Sequence, residues 1–245
     1  MRRVVLVLMV ALLTGACGGG ARQELLVSAA ASLTDAFTAV EAEYEAGHPD
    51  VDIVLNLGGS SALREQILSG APVAVFASAN QENIAEVVAA GLVAGPVVDF
   101  ASNQLTIAVP AGNPGDIIGI GDLARDDLLI GLCAPVVPCG VYADEALAIA
   151  GVAAAPDTLE PDVRALLTKI SAGELDAGIV YATDIAAAGG AVESVDIASE
   201  PAVAVTYSIA PIVGDENQAD AADFIDFVLG PDGRRILGDL GFAAP

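Results

Sequence analysis

The stretch "SAAASLTDAF", residues 28–37, joins a short buried strand to an amphipathic helix through nothing but small side chains. "ELLVSA" (24–29) reads as the strand. Leu33, Phe37, Val40 and Tyr44 then recur at spacings of four, three and four, one stripe of a helix that Gly47 and Pro49 close. Ser32 falls at the N-cap position of that helix. The junction predicts a strand feeding a helix whose first backbone N–H groups face only alanine and serine. Such a junction opens a βαβ unit and also offers an anion a place to sit.

The alternation continues outward. "VDIVLN" (51–56) reads as a strand, "LGGSS" as a loop and "SALREQILSG" as a helix closed by Gly70. "VAVFAS" (73–78) is a third strand, and "NQENIAEVVAAGL" a helix capped by Asn80. This βαβαβα order predicts a parallel sheet with helices on both faces. Two strongly strand-like segments, "QLTIAVP" (104–110) and "AVAVTYSIAPIV" (202–213), bracket a second α/β set. That set holds "DLLIGL" (127–132), helices from Cys139 to Gly151 and from Asp162 to Ala172, and "AGIVY" (177–181). Helices near 217–229 and 231–240 follow. The simplest topology has one lobe built from 24–103 plus 209–245 and a second from 104–208, with the two bracketing strands as the hinge.

Composition narrows the function classes. In 245 residues, 54% are apolar but only 4% aromatic, so the core rests on Ala, Val, Leu and Ile. The formal charge is -24, which argues against a nucleic-acid groove or an anionic membrane surface. At the N-terminus Arg2 and Arg3 precede "VVLVLMVALL" (4–13), an apolar run too short to span a bilayer. "LTGAC" then puts Cys17 where a lipoprotein signal places its lipid-bearing cysteine, although Thr14 stands where Leu is usual. Residues 1–16 are expected to be a signal peptide, and 17–23 a flexible tether that anchors a mature chain outside the cytoplasm. An ordinary secretory signal cleaved nearby is the alternative. Of the remaining cysteines, Cys133 and Cys139 in "GLCAPVVPCG" are most simply a disulfide in an exported protein. A metal site there is disfavoured because His48, the one histidine, lies in a turn.

The catalytic options fail on specific counts. "GGSSA" is not GxSxG, and no serine motif adjoins His48. "GGSSALR" lacks the GK[ST] of a phosphate loop, and no GxGxxG follows the first strand. With 33 acidic residues, carboxylate pairs arise by chance and carry no signal. The helix starts remain. Ser32, the Gly58–Ser61 loop, Cys139–Gly140 and "EPDVRALL" near Val163 each present unpaired N–H groups and the positive end of a helix dipole. Closing two lobes brings such starts around one small anion at the carboxyl ends of the strands.

Here the sequence resembles a family. "AAASLTDAF", "GGSSALREQILSGAPVAVFASA", "VPCGVYADEAL", "DVRALL" and "AGIVYATD" stand in the order and rough spacing of the molybdate-binding proteins of ABC transporters. The resemblance covers nearly the whole mature chain and implies the two-lobe periplasmic-binding-protein fold of type II. It implies that Ser32 and Ser60 bind a tetrahedral oxyanion through hydroxyl and backbone N–H, Cys139 and Val163 through backbone N–H, and Tyr181 through its phenol. Molybdate or tungstate would be the ligand, an ABC permease the partner, and the chain a monomer without cofactor or nucleic acid. Ala74 and Asn80 replace acids common in that family, neither at an expected ligand position. A receptor for sulfate or another oxyanion and, less favoured, a secreted hydrolase are the alternatives; a module that keeps the fold without binding is a third.

The physics fits the resemblance. A dianion in a closed cleft loses its water, and neutral donors can replace that water without a counter-charge. A site made only of donors has no place for a ligand proton, so it should refuse hydrogenphosphate. Asp162, beside Val163, is the residue most able to spoil that expectation.

Overall fold

A computed structural model describes residues 22–197, 202–214 and 218–245. The expected signal segment, the lipidation candidate Cys17 and most of the tether lie outside the described residues. Two five-stranded sheets form, each flanked by helices. The first has strands β1 (Gln23–Ala30), β2 (Val51–Gly58), β3 (Val75–Ser78), β4 (Val98–Asn103) and β10 (Val205–Pro211) in the order β2-β1-β3-β10-β4. The second has β5 (Leu105–Pro110), β6 (Ile130–Cys133), β7 (Thr158–Glu160), β8 (Ala177–Tyr181) and β9 (Val192–Val195) in the order β7-β6-β8-β5-β9.

Within each sheet the three strands followed by helices run parallel, β1 against β2 and β3, and β6 against β7 and β8. The βαβ strands are thus parallel as expected, while each sheet as a whole is mixed. β10 runs antiparallel to β3 and β4, and β5 antiparallel to β8 and β9. These antiparallel strands include the two segments singled out as the hinge. The first crossing between sheets is Gln104 alone, between β4 and β5. All of β10 pairs in the first sheet, so the return occurs before Val205 rather than at 209.

Sequence explains the packing. Helix α1 (Thr34–Gly47) buries Phe37, Val40 and Tyr44 on one stripe, each side chain contributing about 1.5–3 kcal/mol. Phe37 meets Phe100 and Phe224 edge-on, with centroids 6.1 and 6.3 Å apart. Helices α2 (Ser60–Leu68) and α3 (Gln81–Ala89) follow β2 and β3, and the Asn80 side chain caps α3 by accepting from the Asn83 N–H. In the second lobe α4 (Pro138–Ala150) follows β6 and ends at Gly151, whose φ of 66° is the left-handed conformation that closes a helix. Helices α5 (Val163–Ser171) and α6 (Ala182–Ala187) follow β7 and β8, and α7 (Gln218–Leu229) and α8 (Pro231–Asp239) complete the first lobe. His48 stacks on Tyr44 with centroids 4.0 Å apart, a packing role at the end of α1.

One local expectation fails. Ser32 does not cap α1: residues Ala31–Leu33 form a 3-10 turn, Leu33 occupies the cap position, and no side chain caps the helix. The tighter turn carries Ser32 inward, where it is buried.

Candidate functional site

The carboxyl ends of β1, β2 and β3 in one lobe face those of β6, β7 and β8 in the other, and the helix starts that follow them converge. Ser32, Ser60, Cys139, Val163 and Tyr181 all line one cavity between the sheets, together with Gly59, Ala79, Val137 and Asp162. The space open to the centre of a water molecule is ≈ 20 Å³. A sphere of that volume has a radius of about 1.7 Å, and adding the ~1.4 Å of the water gives a hollow roughly 3 Å in radius. That is about the size of one small tetrahedral ion. The lobes are closed upon each other here: a Cβ built on Gly59 would stand 2.6 Å from the Pro161 carbonyl oxygen of the opposite lobe.

The donors are of two kinds. Ser60 opens α2, Cys139 lies in the first turn of α4, and Val163 opens α5, where the helix ladder supplies no carbonyl for the N–H groups. The side chains complete the set. The Ser60 hydroxyl oxygen accepts the Ala79 N–H at 3.1 Å, which leaves its own proton free to donate. The Ser32 hydroxyl oxygen accepts from the Tyr207 hydroxyl at 3.0 Å, with the same consequence. Tyr181 is 1% exposed, and its hydroxyl has no hydrogen-bond partner among the described residues. Burial pushes the Tyr181 and Tyr207 hydroxyls well above their ordinary range, so both stay protonated and able to donate.

Two carboxyl groups stand close to these donors, and Asp162 itself lines the cavity. Asp162 caps α5, its Oδ1 accepting from the Ala165 N–H at 2.9 Å. Asp184 is fully buried on α6, and its Oδ2 accepts the Tyr181 N–H at 3.0 Å. Its Oδ1 lies 3.4 Å from Arg164 Nε, close enough for attraction but misaligned for a hydrogen bond, and neither atom has a hydrogen-bond partner among the described residues. Burial pushes the Asp184 carboxyl up to about 7, against the opposing pull of Arg164. Arg164 also reaches across the lobes to Asp35 at 2.5 Å. At the first turn of α4, Cys133 and Cys139 are joined by a disulfide with their Cα atoms 5.7 Å apart.

Tyr207, Asn103, Thr183, Asp184 and Arg164 support the site, and none was singled out from the sequence. Only Asp184 left a local signal, since an acid three residues after Tyr181 in "YATD" is the spacing of a helix-start capping pair. Among the described residues no three His, Cys, Asp or Glu side chains gather to hold a cation, and no helix is long and apolar enough to cross a membrane. The cavity offers neutral hydrogen-bond donors, suited to an anion.

Comparison with known proteins agrees with this geometry. The family model for bacterial extracellular solute-binding proteins matches residues 25–243. The molybdate-binding protein ModA of Mycobacterium tuberculosis H37Rv is 38% identical over 226 residues, 92% of this chain and 86% of that protein. ModA of Escherichia coli K12 is 31% identical over 243 residues, 89% of this chain and 88% of that protein. Among solved structures, the periplasmic molybdate-binding protein of Azotobacter vinelandii superposes with a TM-score of 0.79 at 21% identity, covering 90% of this chain and 99% of that one, and supports the fold. The resemblance read from the motifs is borne out. With the family model spanning nearly all the described residues, and a donor-lined cavity closed between two lobes, the chain belongs to the bacterial extracellular solute-binding proteins.

Proposed function

We propose that this protein captures molybdate or tungstate, as the fully deprotonated oxyanion, outside the cytoplasm and delivers it to an ABC permease. One observation carries the reading: the Tyr181 hydroxyl is buried, protonated and without a partner among the described residues, on the wall of a cavity that Ser32, Ser60 and the first turns of α4 and α5 also line. A buried hydroxyl left unbonded costs stability unless something arrives to accept from it. In this reading Ser32 and Ser60 donate through hydroxyl and backbone N–H, Cys139 and Val163 through backbone N–H, and Tyr181 through its phenol. The names of the mycobacterial and enterobacterial relatives support the choice of metal oxyanion.

The ligand is cargo. No bond in it is made or broken, no cofactor is required, and the chain works as a monomer that closes over the ion about the two strands that link the lobes. Cys17 would carry the lipid that holds the mature protein at the membrane. Titration calorimetry of the mature chain with molybdate and with tungstate, alone and in excess sulfate and phosphate, tests the assignment. Tight one-to-one binding that survives both competitors is expected. Heat with sulfate alone would replace the ligand, and ester hydrolysis in the same preparation would replace the function.

A further inference from the structure

The polarity of the Ser32 hydroxyl is set by a chain of hydrogen bonds that starts at the lobe crossing. Asn103 ends β4, and its Oδ1 accepts the Gln104 N–H at 2.9 Å. A backbone N–H can only donate, which fixes the amide: Nδ2 is the end that faces Thr183 and Tyr207. Nδ2 donates to Thr183 Oγ1 at 2.9 Å and, at 3.4 Å, to the Tyr207 hydroxyl oxygen. Tyr207 is fully buried, and its own proton goes to Ser32 Oγ at 3.0 Å. The Ser32 proton is left for the cavity, which Ser32 lines. Every bond in the series runs one way, from Asn103 through Tyr207 and Ser32 toward the ion. Ser60 reaches the same polarity from a backbone N–H, which no side-chain exchange can reverse. At Ser32 the polarity depends on a side chain.

We propose that Tyr207 is a specificity-determining residue: by donating to Ser32 it directs that hydroxyl's proton into the cavity, and so withholds the Ser32 oxygen as an acceptor from a tetrahedral oxyanion that still carries a proton. The proposal rests on the oxyanion reading above and adds a residue that does not touch the ligand. A ligand hydroxyl that finds no acceptor in a dry cavity is refused strongly, as pockets that leave buried polar groups unpaired refuse ligands by factors of ~10⁴ or more. Without the Tyr207 proton, Ser32 Oγ could turn and accept.

The test compares Tyr207→Phe with the wild type in competition calorimetry against molybdate, using phosphate at pH 8 as the protonated competitor and sulfate as the unprotonated control. Tyr207→Phe keeps the ring, which packs edge-on against Phe100, Tyr181 and Phe242. Phosphate competition is expected to strengthen tenfold or more relative to molybdate, while sulfate competition keeps its ratio. A merely structural role would move all three anions together, and that result, or an unchanged phosphate ratio, would overturn the proposal. Asn103→Asp provides a second variant of equal size. Its carboxylate accepts where the amide donated, which reverses the series and should also admit phosphate relative to molybdate. Should the wild-type protein fail to bind molybdate or tungstate at all, the oxyanion reading itself falls, an outcome distinct from intact binding with unaltered selectivity.

Discussion

Removing the Tyr181 hydroxyl should make the ligand-free protein more stable and the liganded protein weaker. The phenol is 1% exposed and its oxygen has no hydrogen-bond partner among the described residues, so folding strips it of water and returns nothing. A buried polar group in that position costs roughly 1–3 kcal/mol. Tyr181→Phe removes the oxygen and keeps the ring contact with Tyr207, whose centroid lies 6.2 Å away. At about 2–4 °C per kcal/mol for a chain of this size, the ligand-free melting temperature should rise by several degrees. The liganded state loses a hydrogen bond to an anion, worth roughly 1.5–3 kcal/mol, which converts to a dissociation constant about 10- to 150-fold weaker. Scanning calorimetry of the free protein and titration with molybdate read the two effects separately. A variant that melts lower and binds as well as the wild type would refute both the orphaned hydroxyl and its role as a donor.

Three further expectations come from the same geometry. Gly59→Ala places a methyl group 2.6 Å from the Pro161 carbonyl oxygen, so closure should fail and affinity drop by at least tenfold, as titration and scattering would show. Asp184→Asn should flatten the pH dependence of stability. The folded carboxyl holds its proton up to about 7 against an ordinary 3.8, so stability is lost as pH rises between those values; at ~1.36 kcal/mol per pH unit the penalty is of order 4 kcal/mol, and an unchanged slope of melting temperature against pH would count against it. Replacing Cys133 and Cys139 together by serine opens a loop between residues six apart, which the chain-entropy relation values at about 2 kcal/mol, so the melting temperature should fall by several degrees and oxyanion affinity with it as the first turn of α4 loosens.

The parts of the molecule legible in the sequence were those carried by local periodicity. The α1 stripe, the Asn80 cap of α3 and the Gly151 end of α4 each follow from residues within a turn or two of one another. Edge strands β7 and β9, three and four residues long, and β4 with its polar "SN" end gave too little pattern to read. The antiparallel placement of β10 depends on pairing Ile209 with Ala77 and Tyr207 with Ala101, contacts with no local trace. Ser32 shows both limits at once. Its motif brought it to notice, but a cap reading was natural where a 3-10 turn intervenes, and its partner Tyr207 lies 175 positions away. The gathering of Ser32, Ser60, Cys139, Val163 and Tyr181 rests on their motifs, because nothing in composition or spacing ties one helix start to another.

A chain with a formal charge of -24 can hold a dianion because its charges act at different distances from the site. Most of its carboxylates face solvent, where screening over about 8 Å limits their reach. Asp162 and Asp184 each give one oxygen to a backbone N–H, of Ala165 and Tyr181 respectively, and Asp184 is also drawn toward Arg164. Lining the hollow, roughly 3 Å in radius, are the hydroxyl-bearing Ser32, Ser60 and Tyr181 and the first turns of α2, α4 and α5. At that range, with water excluded, oriented neutral donors outweigh screened charges farther off. The small residues in "SAAASL" are part of the same solution, since any larger side chain at Ala30 or Ala31, both of which line the cavity, would fill the space the ion needs.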